Sequence, residues 1–293
     1  MEKLFVFVSL LISLGFCKLQ IIASVTDLAD IAQTIGGNRV KVSSIARGDQ
    51  DPHYIEVLPS YMMKVRKADM YLEVGLELDL WAQQIIEGSR NRKIKLVDCS
   101  NGIQPLQVPT GTVDARLGDI HRLGNPHYWL DPENGKIIAR TIADALSDMD
   151  PDGAKTYQKN LIQFEKDVDA TIDRWHSSYQ ELSDLQLLFY HNSWPYFARQ
   201  FNLNTVGFIE TKPGIPPTPS HLNYLLDLIS TRGIRVIIRA PYQNQQATRY
   251  LRQKTGIQVL TLATAVGALP GTEHYLQRFD FNLQQLSKVL ENQ

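Results

Sequence analysis

The sequence of 293 residues has few cysteines, no surplus of either charge and only one long apolar run. Two cysteines cannot build a disulfide-rich scaffold, so stability must come from packing, and we expect Cys99 to be a small buried hydrophobe. Lys and Arg number 30 and Asp and Glu 31, so we expect no nucleic-acid partner. Beyond the N-terminal run, no segment approaches the roughly 18 apolar residues of a membrane helix, which predicts a soluble mature protein.

The apolar run covers residues 4–16, directly after a lysine. Its length suits the core of a signal peptide rather than a permanent membrane helix. We therefore predict that residues 1–17 are a signal peptide, cut before Lys18, and that the mature protein is periplasmic. The alternative is a lipid anchor through Cys17, because residues 14–17 resemble the cleavage motif of lipoproteins, although the bulky Phe16 is unusual there.

Short runs rich in Ile and Val alternate with amphipathic segments, as expected of a parallel sheet covered by helices. The predicted strands are 20–25, 41–46, 70–74, 95–99, 185–190, 205–209, 236–239 and 259–262. The predicted helices are 27–35, 59–67, 80–87, 132–149, 194–201, 219–231, 243–255 and 273–290. This order predicts an α/β fold: two βα lobes with mainly parallel four-stranded sheets, joined by one long rigid α-helix.

The joining segment, residues 154–194, contains neither glycine nor proline. Its apolar residues follow each other at spacings of three and four, which predicts a helix of about 28 residues and roughly 42 Å with one apolar stripe. The stripe consists of Tyr157, Leu161, Phe164, Val168, Ile172, Trp175, Tyr179 and Leu182. A long surface helix inside one lobe would show the same pattern. We divide the chain into the signal peptide (1–17), an N-terminal lobe (18–150), a linker helix (151–183) and a C-terminal lobe (184–293).

Position distinguishes three of the seven histidines from the others. His53 follows the second predicted strand and His191 ends the fifth, and ligands bind at the carboxyl ends of such strands. His127 lies just before a helix, and a proline precedes both His53 and His127, which restricts the backbone there. We expect the three to meet between the lobes. Three histidines are not expected to bind metal: His176, His221 and His274.

Three imidazoles in one cleft indicate a transition-metal site, since imidazole is the commonest metal ligand of proteins. Zinc is favoured, and copper, nickel and iron are chemically permitted. Calcium and magnesium prefer oxygen ligands, and manganese also tends toward carboxylate sites. A zinc ion held by three histidines keeps a fourth position for water or a carboxylate.

Short motifs in a fixed order extend through almost the whole mature chain. They are residues 23–28, 51–53, 59–60, 68–69, 75–78, 118–121, 124–132, 191–198 and 208–219. Each is modest alone, but together they are specific. In this order the chain resembles the zinc- and manganese-type substrate-binding proteins of bacterial metal ABC importers, the cluster A-I proteins with their zinc-binding subgroup.

The resemblance implies a monomer that captures a transition-metal ion, Zn²⁺ first and Mn²⁺ as the alternative, and delivers it to the membrane permease of an ABC importer. The first three ligand positions of the family match His53, His127 and His191, and a histidine at the third is similar to zinc-type members. The late carboxylate that the family usually supplies is missing from residues 259–267. For the fourth ligand we rank water first, with His121 and Glu210 as the other candidates.

Two other functions are hypotheses at this point. A zinc-dependent hydrolase can also use three histidines and a water, but it needs a positioned general base. The sequence has no His-Glu-x-x-His motif and no other acid clearly assigned to that role, so we expect no enzymatic activity. The third hypothesis is an exported adhesin with a role in cell adhesion.

Overall fold

The structure is a computed structural model that describes residues 18–111, 121–212 and 214–291. The predicted signal peptide and Cys17 lie outside these residues. Two four-stranded parallel sheets with flanking helices make up the described part, which confirms the predicted fold class. Within these ranges, no helix is both long and apolar enough to cross a membrane.

The first lobe alternates strands and helices in chain order. Its elements are β1 (Leu19–Ala23), α1 (Thr26–Gly36), β2 (Val40–Ser44), α2 (Pro59–Arg66), β3 (Met70–Glu73), α3 (Trp81–Ser89), β4 (Lys95–Asp98) and α4 (Pro132–Met149). The sheet order is β2-β1-β3-β4, with Ile21 opposite Val42 on one side and Met70 on the other. Asp131 caps α4 by accepting a hydrogen bond from the Glu133 N–H, at 2.9 Å.

The second lobe repeats this architecture after the helix α5 (Ala154–Ser178). Its elements are β5 (Gln186–Phe189), α6 (Pro195–Gln200), β6 (Asn204–Phe208), α7 (Pro219–Arg232), β7 (Val236–Arg239), α8 (Gln246–Thr255), β8 (Gln258–Thr261) and α9 (Tyr275–Glu291). The sheet order is β6-β5-β7-β8. Successive residues of β5 face opposite sides: Leu187 packs into the core shared with the first lobe, and Leu188 packs into a second cluster under α7 and α8.

The helix between the lobes is shorter than predicted. It spans 25 residues and ends at Ser178, and residues 180–184 form a 3₁₀ turn. Both helix types place residues three apart on the same side, so the apolar spacing through Leu182 could not distinguish them. The stripe of α5 packs on α1, α4 and α9 rather than standing free in solvent.

Direct contacts also join the lobes next to the cleft. The Asp27 carboxylate on α1 lies 3.2 Å from the Arg278 guanidinium on α9, and both side chains are fully buried. Thr26 donates a hydrogen bond to the carbonyl of Val266 at 2.8 Å. A Cβ atom at Gly48, in the loop after β2, would collide with that same carbonyl. Glycine at position 48 therefore lets the loop that carries His53 approach the second lobe.

Candidate metal centre

The structure brings the three predicted ligand histidines together at the cleft. One nitrogen from each of His53, His127 and His191 lies within 4.8 Å of the others. The ring centroids are 5.0 Å apart for His53 and His127, 5.4 Å for His53 and His191, and 5.8 Å for His127 and His191. His53 follows β2, His191 follows β5, and His127 precedes α4. The carboxyl ends of the strands therefore open onto the same cleft.

The two first-lobe histidines are held by the same local turn. In Asp51-Pro52-His53, Oδ1 of Asp51 accepts from the backbone N–H of His53 at 3.0 Å and lies 2.8 Å from its Nδ1. In Asn125-Pro126-His127, Oδ1 of Asn125 makes the same pair of contacts with His127, at 3.1 and 3.0 Å. A side chain of the Asx type thus fixes both the backbone and the ring of the histidine two residues later.

The amide orientation of Asn125 fixes the tautomer of His127. The Asn125 Nδ2 group donates to the carbonyl of Asn192 at 2.8 Å and to Oε1 of Gln107 at 3.3 Å, so Oδ1 is left as the acceptor. Nδ1 of His127 is then the donor, and the lone pair lies on Nε2. Because Asn192 directly follows His191, this amide also connects the two halves of the site.

The second-lobe histidine is held by a residue just after the neighbouring strand. Nδ1 of His191 lies 3.0 Å from Oε2 of Glu210, which follows β6, the strand beside β5. The two side chains are 12% and 13% exposed. A carboxylate can only accept, so it also places the proton on Nδ1 and leaves Nε2 for a metal ion.

The Nε2 atoms have the properties of metal ligands. Those of His53 and His127 are buried, and neither has a hydrogen-bond partner among the residues that the structure describes. Burial lowers the pKa of His127 well below its ordinary value, with the rings of His53, His191 and His121 acting in the same direction. The neutral imidazole that metal binding requires is therefore the stable form of His127.

The carboxylate of Asp51, which anchors His53, brings a negative charge next to the site. Burial alone would raise its pKa, but the hydrogen bond and charge interaction with the His53 ring, together with the His53 N–H, lower it overall. Asp51 thus stays ionised, and an ionised acceptor on Nδ1 makes the imidazole a stronger ligand at Nε2.

The other two candidate ligands lie beside the three-histidine cluster rather than within it. His121 stacks against His53 with ring centroids 5.5 Å apart. The next residue, Arg122, is tied to Glu77 by two guanidinium contacts of 3.1 and 2.8 Å, which holds His121 near the cleft. Glu210 lies behind His191, on its Nδ1 side. Within the described ranges, no carboxylate oxygen joins the three ligand nitrogens.

The remaining histidines lie away from the cluster. His176 is exposed on α5 and His274 is exposed and 3.1 Å from Asp30, whereas the Nε2 atom of His221 lies 3.0 Å from the carbonyl of Phe208. None of the three belongs to the described three-histidine cluster.

Sequence reasoning missed the roles of Asp51 and Asn125. The signal was visible, because the same Asx-Pro-His pattern occurs twice and both copies contain a candidate ligand. Tyr242, on the turn after β7, was also missed. It borders two small cavities beside the cluster, and burial raises the pKa of its phenol, with the carboxylates of Asp51 and Glu210 acting in the same direction.

The sequence matches a family model over residues 21–289. The model describes ZnuA, the periplasmic component A of a zinc-uptake complex. The chain belongs to this family. Its members are substrate-binding proteins of metal ABC importers rather than enzymes, which argues against the hydrolase hypothesis, and they act outside the cytoplasm.

Individual relatives differ in the metal named for them. The manganese-binding lipoprotein MntA of Halalkalibacterium halodurans is 24% identical over 90% of this chain and 86% of its own length. The iron-binding protein YfeA of Yersinia pestis is 23% identical over 92% of this chain and 86% of its own length. A zinc-bound ZnuA deletion mutant is 26% identical, with a TM-score of 0.78 over 94% of this chain and 98% of its own. Family membership therefore establishes metal binding and not the choice of metal.

Proposed function

We propose that this protein captures one Zn²⁺ ion between its lobes with His53, His127 and His191 and delivers it to the permease of a metal ABC importer. The observation that supports this is the convergence of three imidazoles whose Nδ1 atoms all face oxygen acceptors. Each ring then presents Nε2 to the ion, in the arrangement typical of histidine ligands in zinc sites.

The choice of zinc rests on the chemistry of the donors. Nitrogen ligands suit zinc, whereas manganese favours carboxylate oxygen, and no carboxylate of the described chain joins the cluster. The zinc-bound relative agrees with this assignment. The manganese- and iron-binding relatives make Mn²⁺ and iron the competitors against which zinc must be tested.

The proposal includes export and a division of labour along the chain. Residues 1–17 direct export to the periplasm, with a lipid anchor through Cys17 as the alternative. The lobes 18–150 and 184–293 each supply ligands, the linker helix 151–183 joins them, and the monomer docks on its permease. Mass spectrometry of protein purified from its native export route would report the N-terminus, any lipid and the bound metal together.

Zinc titration of single variants tests the proposal. We expect His53→Ala, His127→Ala and His191→Ala each to weaken zinc binding by about 100-fold or more, because a ligand is lost outright. His176→Ala is the matched control, since its ring is exposed on α5, and it should bind like the wild type. Unchanged zinc affinity in all three ligand variants would refute the site. Tighter binding of Mn²⁺ than of Zn²⁺ by the wild type would refute the assignment of zinc as the bound metal.

A further inference from the structure

The turn after β7 reaches the metal cluster from the second lobe. β7 is the neighbour of β5, so its carboxyl end opens beside His191. Hydrogen bonds hold the turn closed: the N–H of Ala240 donates to Oε1 of Gln243 at 2.7 Å, and the Gln243 N–H donates to the Ala240 carbonyl at 3.3 Å. Arg239 donates to the carbonyls of the same two residues, at 3.1 and 2.9 Å. Tyr242 therefore projects from a rigid support.

The side chain of Tyr242 forms a shared wall of two small cavities that flank the cluster. The first, of about 30 Å³, is also lined by Asp51, His53, His191 and Glu210. The second, of about 10 Å³, is also lined by His127, Trp129 and Thr264. Because all three ligand histidines border one cavity or the other, the phenol lies against the open side of the site.

The first cavity has the size and the polarity for a bound water. About 10–15 Å³ is enough for one molecule, and a water needs several polar partners. Two imidazoles, two carboxylates and the phenol line this cavity. Thr264 lines the smaller cavity together with Tyr242, and hydrogen bonds to the phenol from the side chains of Thr264 and Ser193 oppose the rise in its pKa that burial causes.

We propose that Tyr242 positions the fourth ligand of the metal ion, a water that donates a hydrogen bond to the phenolic oxygen. This inference rests on the proposed function, because it assumes that the three histidines bind the ion. The groups that contact the ion, three imidazoles and one water, are then all neutral. Tyr242 is thus a positioning residue rather than a direct ligand.

Tyr242→Phe tests the inference, since it removes one oxygen and keeps the ring. A lost hydrogen bond to a group polarised by the ion predicts about tenfold weaker zinc binding. We also expect a shifted visible absorption spectrum of the Co²⁺-loaded protein, because the water ligand is held differently. A merely structural role would leave that spectrum unchanged. Tyr224→Phe, on an exposed tyrosine of α7, is the matched control and should resemble the wild type in both measurements.

Each outcome separates this inference from the proposed function. Wild-type zinc affinity and Co²⁺ spectrum in Tyr242→Phe, with binding still dependent on His53, would overturn the role of Tyr242 alone. Zinc binding that does not depend on His53, His127 and His191 would overturn both proposals. If Tyr242→Phe lowers the metal-free melting temperature, Thr264→Val decides: a weaker zinc affinity and a shifted spectrum support the inference, and unchanged values overturn it.

Discussion

In the first lobe each ligand histidine is held by a side chain two residues earlier, whereas in the second lobe His191 is held by Glu210, which lies 19 residues later, just after the neighbouring strand. The first arrangement depends on a local turn that proline restricts. The second depends on the pairing of β5 with β6. The first-lobe ligands can therefore be oriented by short stretches of chain, while the second-lobe ligand requires the folded sheet.

The acceptors also differ with their surroundings. Asp51, which is partly exposed, uses a carboxylate, whereas the buried Asn125 uses an amide. An ionised group is costly to bury without a compensating charge, so a neutral acceptor suits the deeper turn. The same geometry is thus obtained with a different chemistry at each depth.

The third part of the comparison is the connection between the lobes, where the second lobe supports a first-lobe ligand. The carbonyl of Trp129, two residues after His127, accepts from the Tyr275 hydroxyl at 2.8 Å and from Arg278 at 3.2 Å. Both donors lie on α9. The position of His127 therefore depends on its own turn and on the C-terminal helix.

The largest expected effect follows from breaking this connection at the buried pair of Asp27 and Arg278. Asp27→Asn leaves the guanidinium buried without a counter-charge, which typically costs about 3–5 kcal/mol of unfolding free energy. Arg278→Met should cost less near pH 6, because burial raises the pKa of Asp27 to about 6 and the remaining carboxyl can take up a proton. Urea unfolding of the metal-free protein measures both.

The control for this pair is Arg140→Met, which breaks the exposed contact between Arg140 and Glu165 and should change stability far less. If Asp27→Asn were no more destabilising than the control, the buried pair would not hold the lobes together.

A second prediction compares the anchors of the two lobes. Asn125→Ala removes the acceptor for both the ring and the backbone N–H of His127, so we expect about 3 kcal/mol lower stability and zinc binding weaker by about 10–100-fold. Glu210→Ala should weaken zinc binding by about tenfold and cost only about 1 kcal/mol, because it mainly frees the ring of His191. Chemical unfolding and zinc titration give the two quantities. Equal losses of stability would contradict the contrast between the lobes.

The smallest effect is a dependence of metal-free stability on pH. Burial lowers the pKa of His127 from its ordinary 6.5, so its contribution is complete above about pH 6.5 and is lost as the pH falls toward the lowered folded value. Wild-type stability should therefore decrease from about pH 7.5 to about pH 5.5 more than that of His127→Gln. The titration of Asp27 affects both proteins equally, so it cancels in the difference between their stabilities. Parallel pH profiles in urea unfolding with a chelator would show that His127 is not buried in its neutral form.

Much of the fold was predictable because the β-strands and amphipathic helices follow their ordinary periods. The strand Val236–Arg239 has the predicted ends, and the other strands differ by a residue or two. The predicted C-terminal end of α5 was wrong, because a 3₁₀ turn continues the same apolar stripe past Ser178.

At the site, the three histidines followed from their places at strand and helix ends. Their anchors divide into two kinds. Asp51 and Asn125 were present in a readable local pattern, whereas the contact of Glu210 with His191 depends on which strands are neighbours in the sheet. Tyr242 was equally unpredictable, because the sequence does not show that a tyrosine after a strand will face a site formed with the other lobe.

X-ray absorption at the zinc edge, on protein loaded with one equivalent of zinc, tests the central claim most directly. The account predicts three imidazole nitrogens at about 2.0–2.1 Å from the zinc ion and one further ligand that is an oxygen. It also predicts the loss of one imidazole in His191→Ala. Two or fewer imidazoles in the wild type, or a sulfur ligand at about 2.3 Å, would contradict it.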